Sequence, residues 1–145
     1  MVDLERLHQD LVWLETELWN ALDTRLRAEY GLPLTWFLVM RFLTHHPGRR
    51  IQDIAREFAI TAGGASKVVD RIEAAGYCRR CPHPHDRRSA IVELTLDGQD
   101  LMSGSAEVFE TELRRRIGSA TTEPSLAQFA ATLSTLRAAL SPNMR

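Results

Sequence analysis

The stretch "AITAGGASKVVDRIEAAGY", residues 59–77, reads as a helix with an expensive beginning. Val68, Val69, Ile72 and Ala75 recur at i, i+1, i+4 and i+7, one apolar stripe along residues 62–75. Thr61 is placed to cap the helix start, and Gly76 sits where a glycine stop belongs. Gly63 and Gly64 nevertheless fall in the first turn, where each costs roughly 1 kcal/mol relative to alanine. A helix end that gives up side chains in this way must gain something else, or must lie where bulk is not tolerated.

Upstream, "IQDIAREFAI" predicts a short helix with Ile51, Ile54, Ala55 and Phe58 inward, joined to the glycine-led helix by a brief link, which together make a helix-turn-helix pattern. Downstream the period changes. "YCRRC" and "SAIVELT" read as short strands, with Ile91 and Val92 supplying the β-branched signal, and "PHPHDRR" between them reads as a hairpin loop. A helix-turn-helix followed by a hairpin is the winged arrangement.

Farther out lie four more helices. In residues 3–29, Leu4, Leu7, Leu11, Leu14, Leu18 and Leu22 form a heptad-like seam that ends at "YGLP". A helix over about 35–45 offers Trp36, Phe37, Met40 and Leu43 or Phe42 for burial, and "HHPGRR" is a turn. Thr95 caps a helix reaching about Ile117 through Leu101 or Met102, Phe109 and Leu113. The last helix carries Leu126, Phe129, Leu133, Leu136 and Leu140. A winged unit of about 65 residues cannot cover two such leucine stripes, so a homodimer with intertwined terminal helices is expected. The fold class is mainly α, a winged helix-turn-helix core over residues 33–96, with 1–32 and 97–145 forming a helical dimerisation region.

Charge is distributed to match. The chain of 145 residues has a net charge of −1, yet residues 41–90 hold ten Lys/Arg against five Asp/Glu, while the remainder holds eight against fourteen. A basic middle on an acidic frame suits a polyanion. At 44% hydrophobic and 26% charged, with no apolar run near the roughly 20 residues of a spanning helix, a membrane protein is not indicated. The start "MVDLERLHQD" reads as neither signal nor transit peptide, and with two cysteines a cytoplasmic setting is expected. No nucleophile–base–acid set, phosphate loop or paired carboxylates stand out, so an enzyme is not expected, nor a cofactor.

For a duplex-DNA partner the residues take roles. Thr61, Gly63 and Gly64 let the helix tip approach closely, with free N–H groups for phosphate. Ser66 and Lys67 are placed for bases or phosphates, and Arg71 for a phosphate. Arg87 and Arg88 at or near the hairpin tip suit a narrow minor groove, with Asp86 orienting one of them through a carboxylate–guanidinium pair. "CRRCPHPH" offers Cys78, Cys81, His83 and His85, but four ligands within eight residues hardly wrap one tetrahedron, so no metal site is expected. Strand geometry puts Cys78 and Cys81 on opposite faces, too far apart for a disulfide.

Residues Leu34 to Gly98 resemble the MarR family of winged helix-turn-helix transcription regulators. The resemblance is carried by Leu34-Thr35, Pro47-Gly48, Ile54-Ala55, Ser66-Lys67, Asp70-Arg71-Ile72, Gly76, Asp86-x-Arg88 and Leu94-Thr95-x-x-Gly98. It implies a homodimer on a pseudo-palindromic operator, usually a repressor, responsive to a small aromatic or phenolic effector held between the dimer helices and the winged core. The family's Ser/Thr-Arg pair falls on Ser66 and Lys67, and lysine gives up bidentate guanine reading. His8, Trp13, Trp36 and Met40 are candidates for the effector pocket, or else core and surface residues. Two alternatives stay open: a winged protein-interaction module, and a redox-sensing regulator using Cys78 or Cys81.

Overall fold

A computed structural model describes residues 1–141, with Arg87 described by its backbone alone. The chain runs α1 (Leu4–Tyr30), α2 (Leu34–His45), α3 (Ile51–Glu57), α4 (Ala62–Ala74), β1 (Cys78–His83), β2 (Asp86–Leu94), α5 (Leu96–Leu113) and α6 (Glu123–Leu140). A π-helical turn, Arg114–Gly118, closes α5, where a plain helix to about Ile117 was expected.

Side-chain caps start most of these helices. Asp3, Thr61, Thr95 and Thr122 accept from the backbone N–H three residues on, satisfying donors that a helix start leaves unpaired. Helix α2 begins after Pro33 and is capped from another element: Asp23 on α1 accepts from the Leu34 N–H at 2.9 Å. Gly31, at φ +60°, ends α1 with its N–H on the Arg27 carbonyl. Between α3 and α4 the turn passes through Ala59 at φ +52°, a left-handed position filled here without glycine.

The core gathers Leu26, Leu32, Leu34, Phe37, Met40, Ile54, Val69, Ile72 and Val92, all essentially without solvent contact, and Phe37 stacks on Phe109 of α5 at 4.5 Å. Helix α4 buries Ala65, Val69 and Ile72 and leaves Val68 half-buried. Ala75, expected on the same stripe, is exposed at the C-cap, because the chain turns away one residue earlier.

The wing is an antiparallel pair with Cys78 opposite Leu94 and Cys81 opposite Ile91, and the register shifts between Pro82 and His83. Its turn is only Pro84–His85. Asp86, Arg87 and Arg88 therefore lie in the first residues of β2, whereas the sequence reading placed them in a loop; the ladder extends farther because the bulge at Pro82/His83 absorbs the proline. Arg49 adds a one-residue third rung, its carbonyl accepting from Val92 N–H at 2.8 Å, within a segment expected to be a turn alone.

The terminal helices pack unevenly. Leu22 and Leu26 of α1 are buried, Leu11, Leu14 and Leu18 are intermediate, and Leu4 and Leu7 are exposed. On α6 most of the expected stripe stays open: Leu126 is half-buried, but Phe129 and Leu133 are 41% exposed, Leu136 48% and Leu140 83%. Arg137 anchors α6 to its own chain through Glu57 of α3, by an ion pair of 3.0 Å and a 3.3 Å hydrogen bond to the Glu57 carbonyl. No helix among the described residues is long and apolar enough to cross a membrane.

Candidate nucleic-acid interface

Helix α4 divides its residues between the core and solvent. With Ala65, Val69 and Ile72 inward, Lys67 and Arg71 stand exposed one turn apart, and Thr61, Ala62 and Gly63 form an exposed tip. Thr61 Oγ1 accepts from Gly64 N–H at 3.0 Å. A Cβ built on Gly63 meets nothing within 4 Å, while one on Gly64 comes within 3.2 Å of the Thr61 cap oxygen. Packing within this chain thus gives Gly64 a reason and gives Gly63 none.

Ser66 is half-buried and engaged. Arg80 of β1 donates through Nη2 to Ser66 Oγ at 3.3 Å and to Asp70 Oδ1 at 2.6 Å, and through Nη1 to Glu73 Oε1 at 2.9 Å. Its backbone N–H also donates to Glu73 Oε2 at 3.0 Å. Burial works against the Arg80 charge, but the hydrogen bond and charge of Asp70, followed by those of Glu73, outweigh it and raise the pKa. Nothing in the sequence reading singled out Arg80. Its signal was available: it lies in a strand that follows a helix carrying acids at 70 and 73.

At the end of the hairpin, His83 Nδ1 accepts from His85 N–H at 3.1 Å. Asp86 Oδ1 accepts from Arg88 N–H at 3.0 Å, an Asx-type turn that sets the start of β2. The carboxylate therefore orients the Arg88 backbone; among the described residues no ion pair joins it to the Arg88 guanidinium, which is exposed. The side chain of Arg87 lies outside the described residues.

The two cysteines sit in different settings. Cys78 is buried with Sγ 3.7 Å from the Val69 carbonyl; burial, then the charge of Glu73, pushes its thiol up to about 11. Cys81 Sγ lies 3.4 Å from Glu93 Oε2, and burial followed by that carboxylate raises its pKa too. Both favour the thiol over the reactive thiolate at neutral pH.

A cleft of about 720 Å³ opens between the end of α2, the base of the wing and α5, lined by Arg41, Thr44, Arg79, Leu94, Met102 and Ala106 among others. Arg41 lies over the Phe109 ring at 4.7 Å and the Phe37 ring at 5.7 Å, and burial lowers its pKa. Among the described residues it has no ion-pair partner. The effector candidates of the sequence do not line this cleft. His8 and Trp13 are exposed on the amino-terminal half of α1, Trp36 is half-buried against the core, and Met40 is wholly buried within it. The missed signal was Arg41, the one charge inside the apolar run "WFLVMRFLT".

With this geometry described, comparison with known proteins gives a consistent answer. The family model described as MarR family matches residues 30–89. An HTH-type transcriptional regulator of Bacillus subtilis (strain 168), YfiV, is 28% identical over 79 residues, which cover 54% of this chain and 49% of the relative; the chain spans about half the length of the curated relatives it matches. Among solved structures, Sco3205, a MarR family transcriptional regulator from Streptomyces coelicolor in complex with DNA, is similar with a TM-score of 0.88 at 22% identity, covering 99% of this chain and 92% of that one. The organohalide-sensing regulator RdhR-CbdbA1625 in its 2,4-dichlorophenol-bound form gives a TM-score of 0.82 at 17% identity, covering 99% of this chain and 85% of that one. At these identities the structural likeness is one of fold. The family match itself begins at the end of α1 and closes within the wing, over the elements that carry the sequence resemblance, and in that segment the chain is similar to the MarR family.

Proposed function

We propose that this protein is a transcriptional regulator that binds duplex DNA in a sequence-specific way, as a homodimer, and acts as an effector-responsive repressor. The observation that carries the reading is the tip of α4. Gly63 faces open space with no packing reason to lack a side chain, beside exposed Lys67 and Arg71 and on the same molecule as the exposed Arg88 of the wing. A glycine facing solvent at a helix start, flanked by cations, is explained by a polyanion seated against it. The DNA bound by Sco3205, a protein of this fold, supports the same choice.

The reader head is assigned to residues 33–96, with Thr61, Gly63, Gly64, Ser66, Lys67 and Arg71 in the major groove and Asp86, Arg87 and Arg88 at the wing. Residues 1–32 and 97–145 are assigned to the dimer. The open leucine stripe of α6 and the exposed start of α1 support this, since faces of that extent are covered in stable proteins. Two copies of α4 then enter successive major grooves about 34 Å apart. The cleft beside Arg41 lies between the wing and α5, so an aromatic effector filling it would alter the angle between reader and dimer helices and shift the population away from the DNA-competent spacing. The raised thiol pKa values argue against a redox-sensing reading through Cys78 or Cys81.

The test is selection of bound fragments from a genomic DNA library, followed by titration of one selected fragment at several salt concentrations. A specific regulator retains a footprint of operator size, and its affinity falls steeply with salt. Arg88→Ala is expected to weaken binding. A protein that selects no fragment and ignores duplexes at low salt is a winged protein-interaction module instead, and the proposal fails.

A further inference from the structure

Helix α4 carries Lys67 and Arg71 but also Asp70 and Glu73, so its own side chains bring no net charge to a phosphate backbone. Ser66, Asp70 and Glu73 stand at i, i+4 and i+7, one stripe of the helix, and all three are held by the single guanidinium of Arg80 across from β1. We infer that Arg80 is a positioning residue for DNA recognition: it neutralises the two carboxylates beside the phosphate-facing cations and fixes the Ser66 hydroxyl for base reading, without touching DNA itself. This rests on the duplex-DNA reading proposed above.

The geometry supports each part. The Arg80 guanidinium is 27% exposed, and its Nη atoms are committed to Asp70, Glu73 and Ser66, which leaves little for a phosphate. Asp70 and Glu73 are 62% and 40% exposed, so without Arg80 both would face the polyanion uncompensated. Ser66 Oγ accepts from Arg80, which leaves its O–H proton as the group offered to the groove, suited to the acceptor edges of guanine N7 and O6 or thymine O4. The planar guanidinium fork reaches the three partners from its two Nη atoms; lysine carries the same charge on one nitrogen and lacks that spread.

The experiment uses the full-length protein, a selected operator fragment and a scrambled duplex of equal length. If the wild type binds neither, the DNA-binding reading fails and this inference is not the cause. If it binds, Arg80→Gln is expected to lose about tenfold or more on both duplexes and to lower the operator-to-scrambled ratio. Adding Asp70→Asn and Glu73→Gln to that variant is expected to return scrambled-duplex affinity to within about twofold of wild type, with the operator ratio still low because Ser66 is released. A triple variant that binds the scrambled duplex no better than Arg80→Gln overturns the inference. So does a single variant whose salt dependence falls by about one phosphate while the operator ratio is unchanged, since Arg80 would then be a direct contact. Should Arg80→Gln lose its cooperative melt, Arg80→Lys replaces it. Retained scrambled-duplex affinity with a lowered operator ratio supports the inference, and an unchanged ratio overturns it.

Discussion

Replacing Gly63 with alanine separates what the α4 tip does for the fold from what it does for a ligand. The site is helical, with φ outside the left-handed region, and a Cβ there meets no atom within 4 Å. An alanine restricts the unfolded chain and costs the native state nothing, so Gly63→Ala is expected to stabilise the free protein by about 0.5–1 kcal/mol. For a chain of this size that is a rise in melting temperature of about 2–4 °C. In the DNA complex proposed above the same methyl group would stand where the backbone approaches phosphate or base, and displacing the tip would lose hydrogen bonds that depend on close contact. A loss of about tenfold in operator affinity is expected, or roughly 1.4 kcal/mol. The two measurements are thermal melting at one fixed protein concentration and titration of a labelled operator. A variant that is more stable and binds operator as tightly as wild type would refute the reasoning, because Gly63 would then be a dispensable glycine.

At Gly98 the same substitution acts in the opposite direction. A Cβ there would overlap the Tyr77 carbonyl oxygen and lie 3.0 Å from its carbon, backbone that also accepts from Thr95 N–H, so Gly98→Ala should lower stability by about 2–3 kcal/mol in urea melts. The Cys78 thiol, held up at about 11, favours the protonated folded state; its contribution is whole below pH 9.0 and is lost as pH rises from there to about 11. Stability should therefore drop by about 1–2 kcal/mol more across that range in wild type than in Cys78→Ala, measured by paired melts at pH 8 and 10.5. Glu112 is buried, and its carboxyl is held below the usual range chiefly by the hydrogen bond from Arg116, with Arg115 adding to it against the opposing effect of burial. That contribution is present at neutral pH and lost as pH falls below about 4.5, so Glu112→Gln should cost about 2 kcal/mol at pH 7 and much less at pH 3.5. If the chain pairs as proposed, Leu136→Glu on the open α6 stripe should shift it from a dimer to a single chain in sedimentation equilibrium while keeping its helical circular dichroism.

The legible parts of the molecule are those whose cause lies within a few residues. Thr61, Thr95 and Gly76 act in the structure as their types and positions indicate, because caps and left-handed stops are local chemistry. The leucine spacing of α1 and α6 marks two helices for the same reason, and the β-branched pair Ile91–Val92 marks a strand. What escaped the sequence depends on register between distant elements. Arg49 pairs with Val92 only because the link after α2 passes along the wing, and Asp23 caps α2 only because α1 and α2 cross there. The turn Pro84–His85 is tighter than its proline-marked sequence suggests, since the bulge at Pro82/His83 realigns the ladder. His8 and Trp13 on α1 and Trp36 and Met40 on α2 do not line the cleft, whose walls are set by where the end of α2 and the wing meet α5.

Ties between elements distant in sequence are of two kinds here, ion pairs and apolar packing. The carboxyl end of α3 is tied to α6 by Glu57 and Arg137, eighty residues apart, and the face of α4 is tied to β1 by Arg80. Both ties are partly exposed ion pairs, individually weak and screened by salt. Apolar packing joins the winged segment to the long helices as well: Phe37 of α2 stacks on Phe109 of α5, and Leu22 and Leu26 of α1 share the same core. The exposed pairs can be made and broken at little cost, while the core stays intact. On the proposed reading, an effector in the cleft beside Arg41 acts where the end of α2, the base of the wing and α5 meet, and shifts the population away from the spacing that two reading helices need.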